Sequence, residues 1–236
     1  ARRFIDNTTP FDVTQFGAVW LPLPHILMLP FIWNDYLWQT GLAGSFVSMI
    51  CYVLVAYFLF LTVRRLTRDS RASFVGTLLF ILNPNILYMQ STPLSEVLCM
   101  ATLIMICYYL LAWVQEERQK YLLCLAASTF LATTARYDGW ALFIVLVPLI
   151  CIIGFMKRQR RAQIEAHLLV FAVFGGLGIV LWFIWNKVIF GDPLYFQHGQ
   201  FSSANQAAGF LRDHTLYTYH DLWQSLRFYT IDSAFI

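Results

Sequence analysis

Three basic clusters, at residues 64–71, 118–120 and 157–161, divide this chain, and two long apolar stretches lie between each successive pair of clusters. A chain that folds in a bilayer and keeps its Lys and Arg on the cytoplasmic face gives this alternation. The unusual polar motifs sit at the opposite ends of the same stretches. They are Trp20-Leu21-Pro22-Leu23-Pro24-His25, Ser91-Thr92-Pro93-Leu94-Ser95-Glu96, Arg136-Tyr137-Asp138-Gly139 and Gly191-Asp192-Pro193-Leu194-Tyr195-Phe196. Composition agrees, because 59% of the 236 residues are hydrophobic and only 12% are charged. A soluble domain carries about 25% charged residues, so there is too little charge here to clothe a water-facing surface. The net charge of +3 comes from the loop clusters and gives no reason to expect nucleic acid as a partner.

A membrane-spanning helix needs roughly 20 apolar residues. Stretches 41–63, 73–89, 95–114 and 166–189 meet that need, and 140–156 is at the short end. Stretch 121–135 is shorter still and requires Lys120 and Arg136 to snorkel toward the two interfaces. The expected fold is therefore all-α: a polytopic transmembrane helix bundle of about six crossings, with juxtamembrane helices in the outer loops. We expect a single domain over 1–236, with an outer loop and juxtamembrane helix in 1–40, transmembrane helices in 41–190 and an outer loop in 191–236. Residues 21–33 are apolar but carry Pro22, Pro24, His25 and Pro30, which reads as a juxtamembrane or re-entrant element. If 1–40 lie outside, every basic cluster falls inside. Only Arg2, Arg3, Arg136, Lys187, Arg212 and Arg227 then fall outside. The chain starts at Ala1 and ends in Ser233-Ala234-Phe235-Ile236 without a stop signal, so a fragment truncated at both ends is expected.

Cys51, Cys99, Cys107, Cys124 and Cys151 all lie in apolar stretches, which favours small buried residues over a disulfide framework. Gly41, Gly44, Ser45 and Ser48, and later Gly175, Gly176 and Gly178, are spaced to let helices approach closely in lipid.

Each rim motif has a structural and a chemical reading. In the first, Arg136 complements a helix C-terminus and Gly139 supplies a turn. In the second, Arg136 forks two oxygens of a phosphate while Asp138 orients it or binds a polar substrate, with Tyr137 alongside. Thr92, Pro93 and Glu96 suit a helix start, yet Glu96 is also an ionisable group at a membrane rim. Asp192 can cap the segment after Gly191, bind a substrate hydroxyl or hold a divalent metal. Phe190, Tyr195, Phe196 and Phe201 form either an interfacial aromatic belt or a platform for a sugar ring or an isoprenoid. His198, His214 and His220 show no metal-ligand spacing, and Asn7-Thr8-Thr9 matches a glycosylation sequon.

The ordered motifs resemble a family. Ala1-Arg2-Arg3-Phe4-Ile5-Asp6 with Gln15-Phe16-Gly17-Ala18-Val19-Trp20-Leu21-Pro22-Leu23-Pro24-His25 resembles the first outer loop and following helix of GT-C glycosyltransferases. The protein mannosyltransferase and aminoarabinose transferase group is the nearest in pattern. Asn83-Pro84-Asn85-Ile86-Leu87-Tyr88-Met89-Gln90-Ser91-Thr92-Pro93, then Arg136-Tyr137-Asp138-Gly139-Trp140, then Phe190-Gly191-Asp192-Pro193-Leu194-Tyr195-Phe196, follow in the same order. The resemblance implies a multi-pass membrane enzyme that transfers a sugar from a polyprenyl-phosphate donor to a protein, lipid or glycan acceptor. Transfer would occur on the extracytoplasmic face with inversion. The catalytic acid of such enzymes lies in the first outer loop, just after a first helix that is absent from this sequence. Asp6 and Asp12 lie near that place without occupying it, so the catalytic residue stays unassigned.

The residues on this rim suit that reaction. Displacing a phosphate builds negative charge, which a fixed cation stabilises; Arg136 is the first candidate and Lys187 the second. The acceptor hydroxyl needs a base, for which Asp6, Glu96, Asp138 and Asp192 are available. His25, Tyr137 and Tyr195 complete the expected substrate-binding set. Grooves lined by Phe, Leu and Ile would house the isoprenoid. A transporter or flippase of a lipid-linked or polar solute is the alternative, and a non-catalytic scaffold is a third reading. Transporters place ionisable residues at mid-membrane, whereas these crossings have almost none there.

Overall fold

The computed structural model describes residues 17–212 and 221–234, the side chains of 232–234 excepted. The expectations at Asp6, Asp12, the Asn7 sequon, His214 and His220 lie outside the described residues. All regular structure among the described residues is helical. The elements are α1 (Pro22–Met28), α2 (Asp35–Gln39), α3 (Leu42–Thr67), α4 (Ser70–Ile81), α5 (Pro84–Gln90), α6 (Glu96–Glu116), α7 (Gln119–Ala135), α8 (Asp138–Met156), α9 (Arg161–Phe190), α10 (Tyr195–His198), α11 (Ser203–Arg212) and α12 (Leu222–Ala234).

The all-α membrane bundle is present, but with fewer full-length crossings than the sequence suggests. Four helices, α3, α6, α8 and α9, are long and apolar enough to span a bilayer. The α4 and α5 pair makes a fifth if taken as one broken span, bent by 67°. The bend has a local cause. Asn83 caps α5 through a bond from the Asn85 amide (2.9 Å), and Pro84 starts the new helix at the position where its missing N–H costs nothing. The sixth expected crossing, 121–135, falls short. Its helix α7 has only 17 residues, and Ser128, Thr129, Thr133 and Thr134 dilute its apolar content.

Protein surrounds α7 on several sides. It packs most extensively on α9, then on α6, and also meets α8 and α1. Its hydroxyls face inward because each has a backbone acceptor one turn back, as in Thr129 Oγ1 to the Leu125 carbonyl at 2.8 Å. Close packing, rather than the hydrophobic effect, holds helices together in lipid, and small residues supply it here. A Cβ on Gly178 would lie 2.5 Å from Thr133 Oγ1, and one on Gly176 would lie 2.9 Å from the Phe143 ring. The core around Trp113, Leu122, Leu125 and Phe171 occupies the half of the bundle nearer the basic clusters.

The outer surface is apolar. Leu79, Val188 and Ile144 are 74%, 73% and 68% exposed, respectively, a surface suited to lipid. The protein is a multi-pass membrane protein. The five cysteines are free, and only Cys51 is buried; Cys107 is exposed, so the expectation of uniform burial does not hold.

Candidate active site

The site is assembled at the rim opposite the basic clusters. The small-residue face of α3 docks the 91–95 loop. Ser45 Oγ donates to the Ser91 carbonyl (2.8 Å), and Ser48 Oγ donates to those of Thr92 (2.8 Å) and Leu94 (3.1 Å). Gly44 has no side chain there because Pro93 occupies the space: a Cβ would come within 2.4 Å of the proline Cβ. This docking fixes the start of α6, and with it Glu96. On the other side, the turn between α7 and α8 closes so tightly that a Cβ on Gly139 would meet the Ala132 backbone at 2.4 Å. Arg136 and Asp138 stand on that turn.

Arg136 lies between two carboxylates. Its Nη1 donates to Glu96 Oε1 (2.9 Å) and Ser95 Oγ (3.3 Å), and its Nε donates to Asp138 Oδ2 (2.8 Å). The Asp138 bond, together with Glu96, raises the guanidinium pKa further above its ordinary value, although burial opposes this. Arg136 Nη2 has no protein partner among the described residues. Glu96 Oε2 is buried and likewise unpartnered among them. The cluster forms one wall of an open cavity of about 560 Å³, whose other walls come from Trp20, Pro24, His25 and Met28 around α1 and from Pro93–Leu94. Burial pulls the His25 pKa down to about 4, so its imidazole is neutral at physiological pH.

Tyr137 braces this wall from behind. Its hydroxyl donates to the Val19 carbonyl (2.6 Å) and accepts from Trp182 Nε1 (3.2 Å), while its ring stacks on Phe196 at 5.5 Å. Burial pushes the Tyr137 hydroxyl up to about 12, keeping it protonated.

Arg136, Tyr137, Asp138, Glu96 and His25 thus share one cavity, as the rim motifs suggested. Asp192, Lys187 and Tyr195 do not line it. Asp192 Oδ1 accepts from the Leu194 amide (2.9 Å), Lys187 Nζ donates to the Gly191 carbonyl (3.0 Å), and Tyr195 stacks on Phe190 at 4.2 Å. All three serve the turn that ends α9. Among the described residues, no group of three or more His, Cys, Asp or Glu is placed to hold a metal ion.

Two nearly nonpolar grooves adjoin α1. One, of about 320 Å³, runs between Leu23, Ile26, Phe130, Leu181 and Trp185; the other, of about 290 Å³, runs between Leu27, Phe31, Ile50, Leu54 and Met105. Trp20 and Ser95 belong to the rim motifs, but the sequence pattern assigns neither to the site. Ser95 contacts Arg136, and Trp20 lines the cavity. The signal for Trp20 is its place beside two prolines at the membrane rim.

The sequence profile of the dolichyl-phosphate-mannose-protein mannosyltransferase family matches residues 37–185, more than half of the chain. The chain belongs to this family. It is therefore a membrane glycosyltransferase of the GT-C type, as the motif order implied. The matched region includes Glu96, Arg136, Tyr137 and Asp138, and stops short of Lys187 and Asp192. No curated protein and no solved structure matches the chain.

Proposed function

We propose that the protein transfers a sugar from a polyprenyl-phosphate donor to an acceptor hydroxyl at the extracytoplasmic face, with inversion at the anomeric carbon. The observation that carries this reading is the position of Arg136: a cation at the rim, lining an open cavity of mixed polar and apolar walls, with nonpolar grooves beside the helix that forms another wall. The donor phosphate accepts from Arg136 Nη2 and competes with Asp138 for Nε. The isoprenoid follows a groove along α1. The acceptor oxygen attacks the anomeric carbon, a new C–O bond forms, and the bond to the phosphate oxygen breaks. The polyprenyl phosphate leaves with the electron pair, and Arg136 stabilises its growing charge. The hydroxyl proton passes to a rim carboxylate, for which Asp138, 65% exposed, is more accessible than Glu96, 40% exposed. Neutral His25 can donate one hydrogen bond to the sugar without adding charge.

The basic clusters on the other rim support the extracytoplasmic assignment. The transporter reading loses support because residues 42–63, 97–114, 139–156 and 168–186 contain no Asp, Glu, Lys or Arg. The test is turnover by the whole protein in lipid nanodiscs, comparing a polyprenyl-phosphate hexose with a nucleoside-diphosphate hexose. Consumption of the first alone, with an inverted product anomer by NMR, is expected. Use of the nucleotide sugar, or retention of configuration, overturns the proposal.

A further inference from the structure

A second cleft, of about 550 Å³, adjoins the Arg136 cavity across Trp20 and Tyr137, which line both. Its other walls include Phe196 on α10 and Phe201, Ser203 and Ala204 around the start of α11. Two features of this lining point to one kind of ligand. The first is aromatic. Trp20 and Phe201 stack on each other at 5.7 Å and 28°, yet stay 56% and 52% exposed. The second is a set of spare donors. The backbone N–H groups of Trp20, Phe201, Ser203 and Ala204, and the Trp20 indole N–H, have no partner among the described residues. Ser203 and Ala204 open α11, and a helix cannot satisfy its own first amides.

We propose that this cleft selects acceptor polypeptides with proline beside the Ser or Thr that receives the sugar. The inference rests on the transfer reaction proposed above. The matched family is named for a protein acceptor; the cleft adds a rule for which of a protein's hydroxyls is chosen. A proline-containing segment favours the polyproline II helix, which has no internal hydrogen bonds and leaves its carbonyls open to outside donors. Those carbonyls suit the spare N–H groups, and proline itself brings a carbonyl without an N–H that needs an acceptor. Its ring packs on open aromatic faces, the mode by which aromatic-lined grooves take proline-rich segments. Because the ring fixes φ, little conformational freedom is lost on binding. With proline against Trp20, the Cα of the next residue lies about 3.8 Å along the chain, beside the wall shared with the Arg136 cavity. A hydroxyl on that residue faces the place where the donor phosphate meets Arg136.

The test is turnover by the whole protein in lipid nanodiscs, with a polyprenyl-phosphate hexose and three peptides whose single Thr is flanked on both sides by proline, leucine or alanine. The proline peptide should have a kcat/KM about tenfold above the other two, carried by KM. Leucine keeps apolar bulk but restores the N–H and the backbone freedom, so an equal leucine or alanine peptide overturns the proposal without any variant. Phe201→Leu should bring the preference to within about twofold, and Phe201→Tyr, which keeps the ring, should retain it. Partial unfolding lowers the rate for every peptide and leaves their ratio unmoved, so the ratio reads the ring and not the fold. A preference that survives Phe201→Leu overturns the proposal, as does transfer to a methyl hexopyranoside ahead of all three peptides. If the peptides are equal while Arg136-dependent consumption of the polyprenyl-phosphate hexose persists, the proline rule falls and the transfer reaction stands. If that consumption does not depend on Arg136, the transfer reaction falls and takes the rule with it.

Discussion

The two rims of this bundle both carry charge, but they use it differently. On the basic rim each paired cation is tied to helix ends. Arg65 bonds to Glu116 (2.8 Å) and lies over the rings of Tyr108 and Tyr121, at 5.2 and 5.5 Å. Lys157 joins the end of α8 to the end of α6 through the Val114 carbonyl and the Glu117 carboxylate. Three non-glycine residues, Arg68, Glu117 and Arg158, take left-handed φ values of 58°, 55° and 53° to close the helices there. On the opposite rim the corresponding left-handed positions next to helices are glycines, Gly41 and Gly191, both at φ 77°. Lys187 and Asp192 still close the α9 turn there, but the charge at the α6, α7 and α8 ends lines the cavity, where one guanidinium is shared between two carboxylates and keeps one nitrogen without a partner among the described residues. Side chains that close helices are fixed by the fold; a side chain that must meet a substrate needs capacity left over.

That contrast predicts opposite outcomes for two arginines. Arg136→Ala should lower kcat for sugar transfer by roughly 10²–10³-fold, the usual loss on removing one charge-stabilising donor. Arg65→Ala should leave kcat within about twofold, since exposed ion pairs away from a site contribute little. Equal effects of the two substitutions on turnover would break the distinction between the rims.

The tightness of the α7–α8 turn can be probed next. A methyl group at Gly139 has no space, because its near neighbours are backbone atoms of Ala132 and Thr133 that cannot rotate away. Gly139→Ala should therefore destabilise the bundle by about 1–3 kcal/mol and displace Arg136 and Asp138 together. Thermal unfolding in nanodiscs reads the first effect, and loss of transfer in the surviving folded fraction reads the second. An unchanged midpoint would show that the turn has slack.

Much of this architecture is legible in the amino-acid sequence. The basic clusters and the paired apolar stretches imply both the membrane bundle and the rim where the polar motifs meet, because the bilayer sorts charge by a rule that acts on composition. The pairing of Arg136 with Glu96 is not legible: forty positions separate them, and only the docking of the 91–95 loop onto Ser45 and Ser48 brings them within 2.9 Å. The small residues on α3 carry the signal for close packing but not its object. Asp192 and Lys187 show the converse. Their residue types suit phosphate or sugar chemistry, yet the Gly191-Asp192-Pro193 turn uses both for local bonds, as the capping reading allowed. Helix α7 runs between the rims but misses the length and apolar content of a full span, because a helix buried among others can trade apolar residues for Ser and Thr that bond to their own backbone.

A smaller effect separates the rims by pH. His25 has its pKa lowered to about 4 by burial, against about 6.5 when exposed. The unfolded chain therefore binds the extra proton first as pH falls. Above about 6.5 this group contributes no pH dependence. Between about 6.5 and 4 the folded state loses stability relative to the unfolded chain, with a slope of at most about 1.4 kcal/mol per pH unit. His25→Gln should flatten the pH dependence of the thermal midpoint in that window. A wild-type midpoint that rises on acidification through the window would contradict the burial of the imidazole.

The smallest effect belongs to the basic rim. Glu116 accepts from Arg65 at 2.8 Å and lies 3.5 Å from Arg118 Nε, and its carboxyl pKa is lowered chiefly by the Arg65 hydrogen bond. Its stabilising contribution is thus present above the ordinary carboxylate range and is lost as pH falls through the lowered folded value, a window below that of His25. Because the pair is solvent-screened, Glu116→Gln should shift the thermal midpoint at neutral pH by no more than about 2 °C. The shift should shrink further in high salt. A much larger, salt-insensitive shift would mean that Arg65 is held against Tyr108 and Tyr121 only while Glu116 is charged, making the basic rim dependent on a single ion pair.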